Sequence, residues 1–416
     1  MSCLYRHRAG GWFSQFFLLL LNDMDREQRL SILRGVRRVV IKIGSGVLKS
    51  AGEAELCHDT MRRLVNDIAM LRAEHNREVM LVTSGAVMAG RKYLGLPNGK
   101  LTIPQKQAAA AAGMSKLMAH YDRFFGERGI KVGQILLNYD DIEDRHYNIE
   151  NTFNTLLSLG AIPIINENDS TAVDEIKFGD NDSLAAKISP IAKPDLLLIL
   201  SDVDGMYDAD PRKDPNAKLI NDIFEIDNSV LAKAGESGTS SGTGGMSAKV
   251  KAAKIATDYG VATLIISGKK EGAIREAFFN GVGGTFFHPS SEKLTAKKHR
   301  ITHISRPKGA VVVDEGAKKA LLKDGKSLLP SGIVEVDGNF ESGQVVVIRD
   351  QEGMDVARGE VNYNADELRR IMGRKSAEIE QVLGYKSFDE VVHRDNLVLV
   401  VPAEIETSRK AGGKHK

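Results

Sequence analysis

Six short apolar runs recur over the first two thirds of the chain, at residues 39–43, 79–82, 132–137, 161–165, 195–200 and 261–266. None alternates with polar residues, so each predicts a strand buried on both faces, as in a parallel sheet. Between them, Met61, Leu64, Val65, Ile68 and Leu71 fall at helical spacing within residues 60–73, and 105–125 and 148–159 also predict helices. Strands alternating with helices predict right-handed βαβ units and an α/β fold with a doubly wound, mostly parallel sheet. The pattern ends at residues 285–289. From Lys308 onward the strands are shorter and separated by glycine, at 310–313, 332–336, 343–348, 355–361 and 397–402. They predict a small β-barrel-like domain, with helices over 317–322 and 365–383 beside it. The expected organisation is an N-terminal extension over 1–36, an α/β domain over 37–289, a polar linker over 290–307, a β domain over 308–403 and a basic tail over 404–416.

Composition narrows the class. With 416 residues, 42% hydrophobic and 27% charged, the chain has apolar material for about two or three domains. A formal net charge of +2 supplies no global basic field, which argues against nucleic acid or an anionic membrane as the main partner. No window approaches the roughly 20 apolar residues of a membrane span. Cys3 and Cys57 cannot build a disulfide framework and suit a reducing, cytoplasmic compartment, with Cys57 expected as a small buried hydrophobe. Arg6 and Arg8 before the apolar run 12–21 imitate a secretory signal, but residues 21–26 offer no small-residue cleavage site. The expectation is that translation starts at Met24 and that residues 1–23 are mis-assigned or disordered.

Candidate chemistry gathers where the runs end. Asn166, Glu167, Asn168 and Asp169 follow the run at 161–165, and Asp180, Asn181 and Asp182 precede a helix opened by Ser183, one of them serving as its cap. Carboxylates there can accept from an ammonium group while amides and backbone N–H groups donate to a carboxylate, which suits a small zwitterion such as an amino acid. Lys42 sits in the first apolar run, where it is costly unless its ammonium meets an anion; the alternative is an edge-strand lysine reaching solvent. Gly44-Ser45-Gly46 and Thr83-Ser84-Gly85-Ala86 each follow a strand and can bring N–H donors to an anion. Residues 235–249, GESGTSSGTGGMSAK, lead into a helix expected over 250–259, so loop amides, the helix dipole and Lys249 can meet on a phosphate; the plainer reading is a flexible surface loop.

Two motifs fail on inspection. Asp324-Gly325-Lys326-Ser327 has Ala320 where a phosphate-binding loop needs glycine, and His393-Arg394-Asp395-Asn396-Leu397 lacks the Asp-Phe-Gly of a protein kinase. Cysteine, histidine and acid spacings match no closed zinc site.

Taken in order, Lys42-Ile43-Gly44-Ser45, Thr83 to Ala86, Asn166 to Asp169, Gly179 to Asp182, Ser201-Asp202-Val203-Asp204-Gly205 and Gly242 to Lys249 resemble the motifs of the amino-acid-kinase family across residues 39–287, and the β domain resembles the PUA module. The resemblance implies ATP-dependent phosphorylation of the side-chain carboxylate of L-glutamate to L-glutamyl 5-phosphate, the first step of proline biosynthesis, with Mg²⁺ bridging the nucleotide phosphates. It implies that Lys42 and Lys249 hold the transferring phosphoryl group and that Asp182 orients them. Ser84, Asp169 and Asn181 match substrate contacts, with Asn166 and Asp180 as neighbours. Ser201, Asp202, Thr243, Gly244, Gly245, Met246, Ser247, Ala248 and Lys249 match nucleotide contacts, and Gly44, Ser45 and Gly85 would supply N–H donors. A homo-oligomer, inhibition by proline at or near the glutamate site, and functional pairing with glutamyl phosphate reductase are further implications. Two alternatives stand beside this: a kinase for another acid, such as acetylglutamate, aspartate, carbamate or a nucleotide phosphate, and an RNA-binding regulator. Acids slightly outnumber bases after Lys308, and Arg369, Arg370, Arg374 and Lys375 interleave with Glu367, Glu378 and Glu380 as on a solvated face.

Overall fold

Eight strands form the sheet that carries the site: β1 (Arg38–Ile43), β2 (Glu78–Thr83), β3 (Val132–Leu137), β4 (Ile162–Glu167), β5 (Leu196–Ser201), β6 (Asp222–Ile223), β7 (Ala262–Ser267) and β8 (Thr285–Phe287). Their order in this computed structural model is β3-β4-β2-β1-β5-β7-β8-β6, and only the β7–β8 pair is antiparallel. The structure describes residues 26–50, 55–171, 180–236, 245–290 and 296–400, in two units, Met1–Lys293 and Leu294–Lys416. Every residue of β4, β5 and β7 is buried, which is the reason their sequences show no alternation. β1 lies between β2 and β5, and its neighbours lead to opposite halves of the sheet. A crevice therefore opens beyond the carboxyl ends of these strands, the usual ligand position in a doubly wound sheet. Lys42 is paired with Val82 on one side and Ile199 on the other, so it belongs to the central strand and the edge-strand alternative fails.

Helix Ile103–Gly126 covers one face of the sheet. Thr102 caps it in a reciprocal arrangement with Gln105, Pro104 sits in its first turn, and Met114, Leu117, Tyr121, Phe124 and Phe125 point into the core. Helix Ala86–Tyr93 lies directly on it. A Cβ at Gly90 would stand 1.8 Å from the carbonyl oxygen of Ala109, and one at Gly113 would stand 1.9 Å from that of Ala86. Backbone touches backbone at this crossing, and that approach fixes where helix Ala86–Tyr93 begins.

Several expectations need correction. The extension expected over 1–36 ends sooner, because residues 26–35 are helical with Arg29, Leu30 and Leu33 buried, and Arg77 Nε donates to the Val36 carbonyl at 3.1 Å. Residues 1–25, including Met24, lie outside the described residues. The helix expected from Val250 begins at Met246, so Met246 to Lys249 form its first turn rather than the end of a loop. Within the stretch read as a linker, Ala296–His299 and Arg300–Ile304 are helical and Ile301 is buried. Cys57 is half-buried rather than buried, and the Thr60 hydroxyl donates to its Sγ at 3.2 Å.

In the second unit five strands, β9 (Gly309–Val313), β10 (Ile333–Gly338), β11 (Val345–Arg349), β12 (Asp355–Glu360) and β13 (Leu397–Leu399), take the order β10-β9-β11-β12-β13 around Val311, Val313, Val346, Ile348, Leu368 and Ile371. The single helix expected over 365–383 is broken: Ala365–Ile371 ends before Gly373, at φ 74°, and Ile379–Leu383 follows a separate 3-10 turn. Gly325 closes helix Glu315–Asp324 in the left-handed conformation, so Asp324-Gly325-Lys326-Ser327 is a helix stop.

The glycine crossing yields a prediction. Gly90→Ala or Gly113→Ala is expected to lower unfolding free energy by about 3 kcal/mol, since backbone atoms must move apart. Gly126→Ala, in the same helix with nothing near its Cβ position, is expected to leave it unchanged or raise it by about 0.5 kcal/mol. Urea unfolding midpoints of the three variants check this.

Candidate active site

The site is built on a very short helix, Asn181–Lys187. Asp180 caps it, accepting from the Ser183 N–H at 2.7 Å, so the cap falls among the acids and amides as expected and the helix opens two residues before Ser183. That placement turns Asp182 inward, where it has no solvent exposure. Lys42 Nζ lies 2.6 Å from Asp182 Oδ1, and Lys249 Nζ, from helix Met246–Asp258, lies 3.2 Å from Oδ2. Two ammonium groups from segments 207 residues apart thus share one buried carboxylate. Desolvating three charges costs several kcal/mol per ion, so this triad is poorly explained as a stabilising device; two ammonium groups lining one cleft suit an anion.

Asn181 organises the opposite wall. Its Nδ2 lies 2.9 Å from the Thr83 carbonyl, 3.0 Å from Ser84 Oγ and 3.0 Å from Asn166 Oδ1. With three acceptors around the amide nitrogen, Oδ1 is left to accept from whatever enters the cleft. Asn166 is held in turn by an Nδ2 bond to Met114 Sδ at 3.7 Å. The Asp180 carboxyl is pushed above the usual aspartate range, first by burial and then by the charge of Asp182, against the Ser183 N–H and Lys42.

A cleft of about 700 Å³ runs over both clusters. Of the residues predicted from sequence, Lys42, Gly44, Ser45, Ser84, Gly85, Asn166, Asp169, Asp180, Asn181, Ser201, Asp202, Gly245 and Lys249 line it, and Asp182 lies beneath the lysines. Met246, Ser247 and Ala248 form the turn that leads to Lys249. Thr243 and Gly244 fall outside the described residues. One predicted donor is removed. The Gly44 N–H donates to the Leu200 carbonyl at 3.2 Å, extending the β1–β5 ladder by one residue, so it is committed before a ligand arrives. Ser201 is also engaged, its Oγ 3.4 Å from Asp202 Oδ1 and accepting from the Val203 N–H at 3.5 Å.

Sequence reasoning placed Gly46 only within an anion-binding turn and missed Arg91 altogether, and both line the cleft. A Cβ at Gly46 would meet Asp202 Oδ2 at 3.2 Å, which the turn's glycine content hints at without specifying. Arg91 sits in the last turn of helix Ala86–Tyr93, where a cation ordinarily complements the helix dipole, so nothing in its position signalled a cleft. A second cavity of about 310 Å³, bordered by Met114, Ser115 and Gln134, shares Asn166, Glu167 and Asp169 with the cleft. Among the described residues no three histidines, cysteines or acids stand together as a metal site, and no helix is long and apolar enough to cross a membrane.

Set beside known proteins, residues 37–267 match the model of the amino acid kinase family and residues 309–383 match that of the PUA domain. The chain belongs to the amino acid kinase family, and is a kinase that carries a C-terminal PUA domain. Its relatives include glutamate 5-kinase of Geobacter sulfurreducens, 49% identical over 374 residues that cover 89% of this chain and 100% of the relative. Glutamate 5-kinase of Geobacter metallireducens matches with the same identity and coverage. A solved structure of carbamate kinase from Giardia lamblia bound to AMP-PNP is similar at a TM-score of 0.45, with 18% identity, covering 61% of this chain and 99% of that one.

Asp180 offers a pH test. Its carboxyl titrates above the unfolded value, so stability is lost as the pH rises from the unfolded to the folded-state value, and none is lost where both states are protonated. Asp180→Asn keeps a capping side chain. It is expected to raise unfolding free energy at about pH 7, with the gain disappearing by about pH 3.5. Chemical unfolding at both pH values checks the sign, and a loss of stability at neutral pH would contradict it.

Proposed function

We propose that this chain transfers the γ-phosphoryl group of ATP to the γ-carboxylate of L-glutamate, forming L-glutamyl 5-phosphate for proline biosynthesis. Relatives named for that activity, 49% identical and matched along their whole length, support the reading. The observation that carries it is the meeting of Lys42 and Lys249 on Asp182 at the floor of a cleft whose other wall suits an amino acid.

A carboxylate nucleophile is ionised at neutral pH, so no general base is needed. The work left to the protein is positioning and charge neutralisation. In this proposal Lys42 and Lys249 hold the phosphoryl oxygens, and Asp182 keeps both ammonium groups aimed at one point. N–H groups of Ser45, Gly46 and Gly85, which meet no acceptor among the described residues, face phosphoryl and carboxylate oxygens. Asp169, Asp180 and Asn181 Oδ1 receive the α-ammonium, with Ser84 and Asn166 beside them. Asp202, Gly245 and the first turn of helix Met246–Asp258 border the nucleotide. The Asp202 carboxylate lining the cleft is an oxygen donor that fits a Mg²⁺ ion whose other ligands would come from phosphates and water. Bound there, the ion would offset phosphate charge. A cytoplasmic location, assembly as a homo-oligomer and hand-over of the labile acyl phosphate to glutamyl phosphate reductase belong to the same proposal.

Purified chain with ATP, Mg²⁺ and hydroxylamine is expected to form the hydroxamate with L-glutamate and not with aspartate, acetylglutamate or carbamate; preference for another acid overturns the substrate assignment. Lys249→Ala is expected to lower kcat by about 1,000-fold while the fold persists, because the lost charge acts mainly on the transition state. Asp169→Ala is expected to raise the KM for glutamate by about tenfold or more with little change in the KM for ATP, and steady-state kinetics separates the two.

A further inference from the structure

Tyr121 lies in the inward face of helix Ile103–Gly126, fully buried among alkyl and phenyl side chains that need no hydroxyl. A phenylalanine would fill the same space, and a phenol buried there is costly unless its hydroxyl is bonded. Among the described residues its one hydrogen-bond partner is Thr83 Oγ1, at 2.7 Å. Thr83 ends β2, is itself fully buried, and its Oγ1 lies 3.1 Å from the carbonyl oxygen of Ser84. Each hydroxyl has a single hydrogen. The Thr83 hydrogen goes to the Ser84 carbonyl and the Tyr121 hydrogen goes to Thr83, the arrangement that uses both hydrogens and satisfies the carbonyl. Burial holds the Tyr121 phenol well above its ordinary pKa, so it remains a neutral donor.

The relay ends on one peptide group. In a trans peptide the C=O and N–H point in opposite directions, and no peptide bond in the described chain is cis. With the Ser84 oxygen drawn toward Thr83 in the core, the Gly85 N–H faces the cleft that Ser84, Gly85 and Ala86 line. Gly85 has φ 112°, a conformation open to glycine, and among the described residues the Thr83 hydroxyl is the one hydrogen-bond partner that holds the orientation of this peptide. The peptides on either side are held, the Ser84 N–H by the Ile43 carbonyl at 3.1 Å, the Thr83 carbonyl by Asn181 Nδ2 at 2.9 Å and the Gly85 carbonyl by the Ala89 N–H at 2.9 Å.

We propose that Tyr121 and Thr83 are positioning residues for phosphoryl transfer, a buried hydroxyl relay that locks the Ser84–Gly85 peptide with its N–H toward the reacting oxygens. The proposal rests on the carboxylate-kinase reading above. It differs from a packing role because Thr83 also offers its own carbonyl to Asn181, so the relay meets the substrate wall at the same residue.

The test uses the full chain with Y121F, T83V, T83S and the Y121F/T83V double variant, measuring hydroxamate formation, ADP affinity and thermal unfolding. Turnover is expected to fall by about 10- to 100-fold in Y121F and T83V, below the loss typical of deleting an oxyanion donor outright. ADP affinity should stay within about twofold, since the change lies in the transfer step. T83S, which keeps the hydroxyl, should recover most of the turnover, and the double variant should be no slower than T83V, because both changes cut one relay. Turnover near wild type in Y121F and T83V would overturn the proposal. So would turnover, ADP affinity and melting temperature falling together with T83S no better than T83V, which marks a packing defect. Failure of the underlying reading is distinct: the unmutated chain would then form no glutamate-dependent hydroxamate.

Discussion

One carboxylate with two ammonium partners sets the geometry of this protein. Asp182 is fully buried, and its oxygens are taken by Lys42 from the centre of the sheet and by Lys249 from a helix whose sequence lies far downstream. Neither lysine would be tolerated at such depth alone, and Asp182 without them would be an uncompensated buried charge. The fold therefore brings three segments together before any ligand is present, with both ammonium groups lining the cleft. Preorganised charge of this kind acts on a transferring phosphoryl group with no rearrangement at the moment of reaction.

Everything around the triad limits how far its parts can drift. β1 is hydrogen-bonded on both sides, so Lys42 moves only with the sheet. Helix Ala86–Tyr93 is pressed against helix Ile103–Gly126 at Gly90 and Gly113, which fixes the start of the former. Tyr121 lies two turns beyond Gly113 on that same packing helix. A helix that reads as core filler thus supports the cleft twice, through its glycine and through its phenol.

Much of this was legible because parallel strands buried on both faces are continuous apolar runs, against which Lys42 and the polar clusters at 166–169 and 180–182 stand out. What sequence could not supply was pairing between distant segments. The loss of the Gly44 N–H to Leu200 is decided by the neighbouring strand, and the link from Tyr121 to Thr83 by a helix packed 38 positions away. Local disguise explains other misses. Glycine and serine before Met246 hid the true start of its helix, Gly373 broke a helix whose spacing looked continuous, and Arg29, Leu30 and Leu33 packed a segment read as an extension. Arg91 carried no signal, since a cation closing a helix is ordinary.

Helix Asn181–Lys187 is two turns long, too short to persist by propensity. It survives on the burial of Leu184, Ala185 and Ala186 and on polar anchors, namely the Asp180 cap, the amide of Asn181 and the two lysines held by Asp182, and most of these anchors line the cleft. Conformational integrity and ligand recognition are therefore thermodynamically linked in this element. Whatever occupies the cleft tightens the segment that greets it, and local fraying there empties both halves of the binding surface at a stroke.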